Sequence, residues 1–317
     1  MKIFFIILIF PVVLLAQSDL EKAEKLIQSK HYASAELLVK SYVEMHPNDI
    51  RAIELLGDAY GYQQKWDKAI ETYQKLVNSH SQIANYHYKY GGALGMKALS
   101  ISKIKAVGII GDAKEEFLKA SQLDHKHIDA RWALVELYMQ LPGIIGGSKS
   151  KALKYAGELE SLSRVDGFLA KGYIYAYDHQ NDRAENYFKQ AVIEGGSLVC
   201  YEKLANFYID TNAPVKAIIT LETAYSKLHN NGLHYQIGKV AADFNVELDK
   251  GEKALKSYLD DYKPEDKFSK AEAHYRLAQI LRYKKAGAKA LHHIQSALKE
   301  APKNPDFLKE EAMIRKL

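Results

Sequence analysis

The sequence predicts an all-α protein, a stack of about eight helix-turn-helix repeats closed by a C-terminal capping helix. Three observations predict it. Large apolar residues recur three and four positions apart through most of the chain, the spacing that places them on one face of a helix. Small residues recur at a long fixed period: Gly172 and Ala205 stand 33 residues apart, and so do Ala184 and Ala217. Pro47, Pro214, Pro264, Pro302 and Pro305 fall between the periodic segments, where the missing N–H does no harm. No single helical hairpin can bury its apolar face, so neighbours must stack.

Composition agrees with a folded, cysteine-poor chain. Of 317 residues, 47% are hydrophobic and 26% charged, which is too apolar for disorder. The single cysteine, Cys200, excludes an internal disulfide framework and a cysteine-rich zinc module. The net charge of +5 is mild, and no concentrated basic stripe of the kind that marks a nucleic-acid binder occurs.

The elements follow in order. Met1 to Ala16 reads as a signal peptide: Lys2 is the charged start, and Ile3 to Leu15 is an apolar run too short to span a bilayer. Ala16 suits the position before the cut, although Leu14 is larger than the small residue preferred there. The rival reading is an uncleaved N-terminal tether. Residues 17–317 form the repeat array. Repeat one (16–49) carries Ala23, Tyr32, Ala35 and Tyr42. Repeat two (50–83) carries Leu56-Gly57 and Tyr60, then Ala69, Tyr73 and Leu76. Repeat three (84–127) places Gly91 against Ala113, Phe117 and Ala120, and repeat four (128–164) places Leu134 and Tyr138 against Ala152 and Leu159. Repeats five (165–197) and six (198–231) repeat the theme with Gly172, Tyr175 and Phe188, then Ala205, Tyr208 and Leu221. Repeat seven (232–267) is the most divergent, with Gly238, Ala254 and Tyr258. Repeat eight (271–304) has Ala278, Leu281, Ala290 and Ile294, and residues 305–317 cover the last apolar face.

The pattern Leu56-Gly57-x-x-Tyr60, Ala69-x-x-x-Tyr73, and its echoes at Gly172-x-x-Tyr175, Ala205-x-x-Tyr208 and Ala278-x-x-Leu281 resembles the tetratricopeptide repeat. That resemblance covers essentially the whole chain after residue 16, most strongly in repeats two, five, six and eight. It implies a right-handed solenoid that binds protein along its concave surface. It also implies which first-helix positions face that surface: Glu54, Asp58 and Tyr62; Tyr88; Asp129, Trp132 and Glu136; Tyr173 and Tyr177; Glu202, Asn206 and Asp210; Tyr235 and Asp243; Tyr275 and Tyr283. Arg51, Lys239 and Arg282 are the few basic residues in the same set. The expected groove is therefore acidic and aromatic within a basic chain. Such a groove suits a neutral to cationic extended protein or peptide, with rings as anchors and carboxylates steering the approach.

Repeats three and four carry extra residues between their helices, and both contain Gly-Ile-Ile-Gly, at Gly108 to Gly111 and at Gly143 to Gly146. Both read as loops before a polar helix start. Asp112 with Glu115 forms a capping box after the first copy, and Ser148 follows the second. Gly146, Gly147, Ser148 and Lys149 could offer backbone N–H groups and a cation to an anion. The competing reading is a longer turn whose Ile109, Ile110, Ile144 and Ile145 pack against the neighbouring insert.

No catalytic residue, metal site or cofactor site emerges. His292 and His293 are adjacent on a helix and point about 100° apart, so both cannot face one ion. His125 and His127 lack the intervening glutamate of a metalloprotease motif, and no nucleophile elbow occurs. Cys200 reads as a small buried apolar residue. The function expected is a non-enzymatic binding or assembly module of the bacterial cell envelope, periplasmic or secreted. A glycan-binding solenoid is the alternative, and an enzyme the third class.

Overall fold

The computed structural model describes residues 10–317, with side chains described from Asp19 onward. The described residues form seventeen α-helices and no strand. They divide into two compact units, the first ending at Leu162 and the second running from Ser163 to Leu317. The signal-peptide reading falls on residues 1–9, which lie outside the described residues, and on the first turns of α1.

The first unit holds four hairpins: α1 (Phe10–Gln28) with α2 (Tyr32–Met45), α3 (Ile50–Tyr62) with α4 (Trp66–Ser79), α5 (Ala84–Leu99) with α6 (Lys103–Leu123), and α7 (Ile128–Gln140) with α8 (Lys149–Leu162). The second unit holds α9 (Arg164–Tyr177) with α10 (Asn181–Gly195), α11 (Leu198–Asp210) with α12 (Pro214–Leu228), α13 (Asn231–Phe244) with α14 (Leu248–Asp260), and α15 (Lys270–Tyr283) with α16 (Gly287–Glu300). The single helix α17 (Pro305–Ile314) packs on this last pair. First helices also touch one another along each unit: α1 with α3, α5 with α7, α9 with α11, and α13 with α15.

The small residues do what their period predicts. A Cβ on Gly57 would sit 2.5 Å from Tyr73 Cε1, and one on Gly172 would sit 2.7 Å from Phe188 Cε1. Helices within a hairpin therefore meet ring against backbone, and only glycine fits. Ala69, Ala184, Ala217 and Ala290 approach from the second helix and are fully buried.

One turn geometry recurs. Lys30, Gln64, His179, Asn212 and Lys285 all adopt φ near +60°, each at the end of a first helix. The residue after each donates its N–H five residues back, as in Lys65 to Tyr60 and Ala213 to Tyr208, so orphan carbonyls are satisfied. Hairpin seven makes the same bond from Val246 to Ala241 but adds a second left-handed residue, Glu247. Hairpins three and four depart altogether.

The departure in hairpin three corrects the sequence reading. Gly108 to Gly111 lies inside α6, a helix of 21 residues, and Asp112 is an interior helical residue rather than a cap. Ser102 occupies the N-cap instead. The extra residues extend the two helices and make no loop. In hairpin four the expected loop is present: Gly143–Ile145 is a short 3-10 turn closed by Gly146 at φ +100°.

Candidate binding face

In the first unit two of the four acidic residues expected to face a partner, Glu54 and Asp58, are spent on the protein itself. Lys89 of α5 donates to both Asp58 oxygens at 2.8 Å and pairs with Glu54 at 2.6 Å. Burial works against the Lys89 charge, but Asp58 and Glu54 outweigh it and hold its pKa above the ordinary value. Tyr73 also donates its hydroxyl to Asp58 at 2.6 Å, and Asn85 donates to Glu54. Burial, then Asp58, pushes the Tyr73 phenol well up. These two carboxylates tie hairpin two to hairpin three, which corrects their assignment to an open acidic groove. Lys89 stands 31 and 35 residues from its partners, about one repeat away. A search for opposite charges one period apart would have found it.

Aromatic residues of the same unit divide between packing and exposure. Tyr62 is exposed on one side and stacks on Tyr32 on the other, with centroids 4.8 Å apart. Tyr88 is half-buried against Phe117 and His127. Trp132 is half-buried, and Asp129 and Glu136 are exposed along α7. Arg51, counted among the basic groove residues, is tied to Glu24 at 2.7 Å.

The second unit brings its residues into rows. Tyr173, Asn206 and Lys239 follow one another at a spacing of 33, as do Tyr177, Asp210 and Asp243. α9 lies against α11, and Tyr173 and Tyr177 on the first occupy the positions that Asn206 and Asp210 occupy on the second. The two tyrosine rings are 6.1 Å apart, and Tyr177, Asn206 and Asp210 are exposed. Further along, the rows close. Asp243 accepts from Lys239 at 2.8 Å and from Arg276 at 2.5 Å, and Glu202 accepts from Gln236 at 2.6 Å.

Tyr235 is a clear correction. It is only 2% exposed, its ring stacked on Phe268 at 4.0 Å and tilted against Tyr258. Phe268 lies in the linker between α14 and α15, outside repeats seven and eight as the sequence bounds them. Tyr258 donates its hydroxyl to the Phe268 carbonyl at 2.5 Å, and burial pushes that phenol up to about 12. Tyr275 packs on Phe307 of α17, and Tyr283 lies under the Arg282 guanidinium at 4.4 Å. Arg282 itself is committed to Glu310, a fully buried carboxylate on α17, at 2.6 Å.

The Gly146 loop keeps its amides for itself. The N–H groups of Gly146, Gly147 and Ser148 donate to the carbonyls of Gly143, Pro142 and Tyr138. Ser148 Oγ in turn accepts from the Lys151 N–H. Three of the donors that an anion would need are thus used. Ile144 projects into solvent, which also removes it from the packed-insert reading.

Histidines behave in two unforeseen ways. His127 caps α7, its Nδ1 accepting from the Ala130 N–H at 3.2 Å. His293 pairs with His274 across hairpin eight, Nδ1 to Nδ1 at 3.0 Å. Burial, then the neighbouring imidazoles, lowers His293 to about 4, and burial also lowers His274. Among the described residues no cluster of three or more metal-ligating side chains occurs. No helix among them is long and apolar enough to cross a membrane. Cys200 is fully buried beside Ser197.

This architecture is the tetratricopeptide fold, hairpins of two antiparallel helices stacked in series. A tetratricopeptide repeat protein from Parabacteroides merdae ATCC 43184 superposes with a TM-score of 0.51 at 13% identity, over 95% of this chain and 98% of that one. A thermophilic tetratricopeptide repeat protein of Thermus thermophilus gives 0.43 at 15% identity, over 77% of this chain and 99% of that one. No protein-family model and no curated protein matches the sequence.

Proposed function

We propose that the protein is a non-enzymatic interaction module that holds an extended peptide or protein segment against the first helices of its hairpins. The observation that carries this reading is the patch on α9 and α11. Two neighbouring tyrosine rings, an amide and a carboxylate stand there in register, with Tyr177, Asn206 and Asp210 open to solvent. Rings give a partner side chain rigid apolar contact, Asn206 can both donate to and accept from a peptide backbone, and Asp210 favours a cationic group. Tyr62, Trp132 and Glu136 are the corresponding contacts in the first unit. The preferred partner is neutral to cationic, because Asp210 and Asp129 are exposed and make no ion pair among the described residues.

The apolar run from Ile3 to Leu15 supports export, with the protein acting in the periplasm or as a secreted product. N-terminal sequencing of the protein from its source should find Gln17 first; intact Met1 on cytoplasmic protein overturns that part.

Immobilised protein is exposed to a cell-envelope extract, beside a Tyr177→Ala/Asp210→Lys variant whose melting temperature is unchanged. One polypeptide captured by the native protein and lost by the variant supports the reading. Equal capture by both removes the patch from the interface. Recovery of polysaccharide alone moves the protein to the glycan-binding class.

A further inference from the structure

Hairpin three ends in a surface that the binding face does not use. α6 has 21 residues where its counterpart α4 has 14, and α5 has 16 where α3 has 13. The far ends keep register, since α4 and α6 each stop five residues before the next helix begins. The added length therefore lies at the α5–α6 turn, which projects by roughly 10 Å at 1.5 Å per residue.

The projecting end is apolar and basic. Leu99 is 73% exposed and Ile104 90% exposed, one on each side of the turn, with Met96 and Val107 open behind them. Ile104, Val107, Gly108 and Gly111 share one helical face of α6, and a Cβ on either glycine would meet nothing within 4 Å. No Asp or Glu occurs from Asn85 to Gly111. Of the lysines in that stretch, Lys89 is spent on Glu54 and Asp58, and Lys97 on Asp67. Lys103 and Lys105 are exposed and make no ion pair among the described residues.

We infer that this tip docks on an anionic lipid surface, Leu99 and Ile104 entering the acyl boundary while Lys103 and Lys105 meet the headgroups. Shape and charge select this occupant. A narrow convex tip offers little of the roughly 800 Å² per partner that a stable protein interface needs. A bilayer accepts a wedge of two or three aliphatic chains with lysines reaching back to the phosphate layer. A second copy of the chain is disfavoured, because a twofold contact would set Lys103 and Lys105 against their own equivalents.

The test uses the full chain labelled at the tip. Cys200 is buried, so Ile104→Cys takes an environment-sensitive fluorophore selectively. Asn186→Cys, on exposed α10 surface, is the reference label. Vesicles containing phosphatidylglycerol should blue-shift the label at position 104 and leave the reference unchanged, while phosphatidylcholine vesicles should do neither. Adding Lys103→Glu and Lys105→Glu should weaken the response roughly tenfold or more, each lysine contributing strongly near an anionic surface. Three outcomes overturn the proposal: no shift at position 104, equal shifts at both labels, or a shift that follows protein concentration without vesicles. The last assigns the tip to self-association.

Discussion

The two Gly-Ile-Ile-Gly segments share four residues and no structure. Gly108 to Gly111 is uninterrupted helix, whereas Gly143 to Gly146 is a 3-10 turn that ends in left-handed backbone. What precedes each segment accounts for the difference. Before the first copy stands Lys-Ile-Lys-Ala-Val, a run without a breaker that α6 absorbs. Before the second stands Leu141-Pro142. Proline pushes the residue before it out of the helical region, so α7 must stop. Glycine is permissive in both places, and its neighbours decide which permission is used.

Substitutions at the two copies can break this comparison. The largest effect is expected at Gly147, where a Cβ would sit 1.8 Å from the Leu141 carbonyl oxygen. Gly147→Ala should force the backbone to shift and cost about 3 kcal/mol, the upper end for overpacking, seen as a lowered melting temperature. Gly146→Ala meets only the flexible end of Lys114, at 3.5 Å, but must keep φ +100°, so it should cost about 1–2 kcal/mol. A melt in which Gly146→Ala matches the native protein would show that this turn re-forms without a left-handed residue. Ser148→Ala removes the side-chain acceptor at the start of α8 and should cost about 1 kcal/mol.

The first copy should respond in the opposite direction. Gly108→Ala and Gly111→Ala each place a methyl in open space on a helix, and each should stabilise by about 0.5–1 kcal/mol. Denaturant midpoints that fall for both would mean the segment is not helical in solution. Smallest of all is Asp112→Ala. If Asp112 capped a helix its loss would cost about 1 kcal/mol, but as an interior residue it should stay within about 0.5 kcal/mol.

Much of the fold was legible in the sequence because the repeat is dictated locally. Gly57, Gly172 and the alanines opposite them mark where helices touch, and that requirement recurs at one period. The turns with a left-handed residue at Gln64, His179 and Asn212 fall in the repeats whose pattern was strongest. Hairpins three and four, weak in pattern, lack that turn, and hairpin seven, the most divergent, keeps its bond but adds a second left-handed residue. The binding face was less legible, since exposure depends on what the next repeat contributes. Glu54 and Asp58 stand at the right helical positions, yet Lys89 neutralises them from one hairpin further on. Tyr235 stands at a similar position, yet a linker residue covers it.

That linker has a consequence for how the chain meets a protease. Residues 261–269 carry the exposed Lys267, an obvious target for a trypsin-like enzyme, whereas Pro264 protects the bond after Lys263. The segment is pinned at several points: Tyr258 holds the Phe268 carbonyl, Asn231 and the Lys263 N–H hold Asp266, and Phe268 lies on Tyr235. A protease needs an extended stretch of several residues, so cutting must wait until these pins release. Release also lifts Phe268 from Tyr235. The nicking rate at Lys267 therefore acts as a clock for how often the buried ring on α13 becomes available to anything outside.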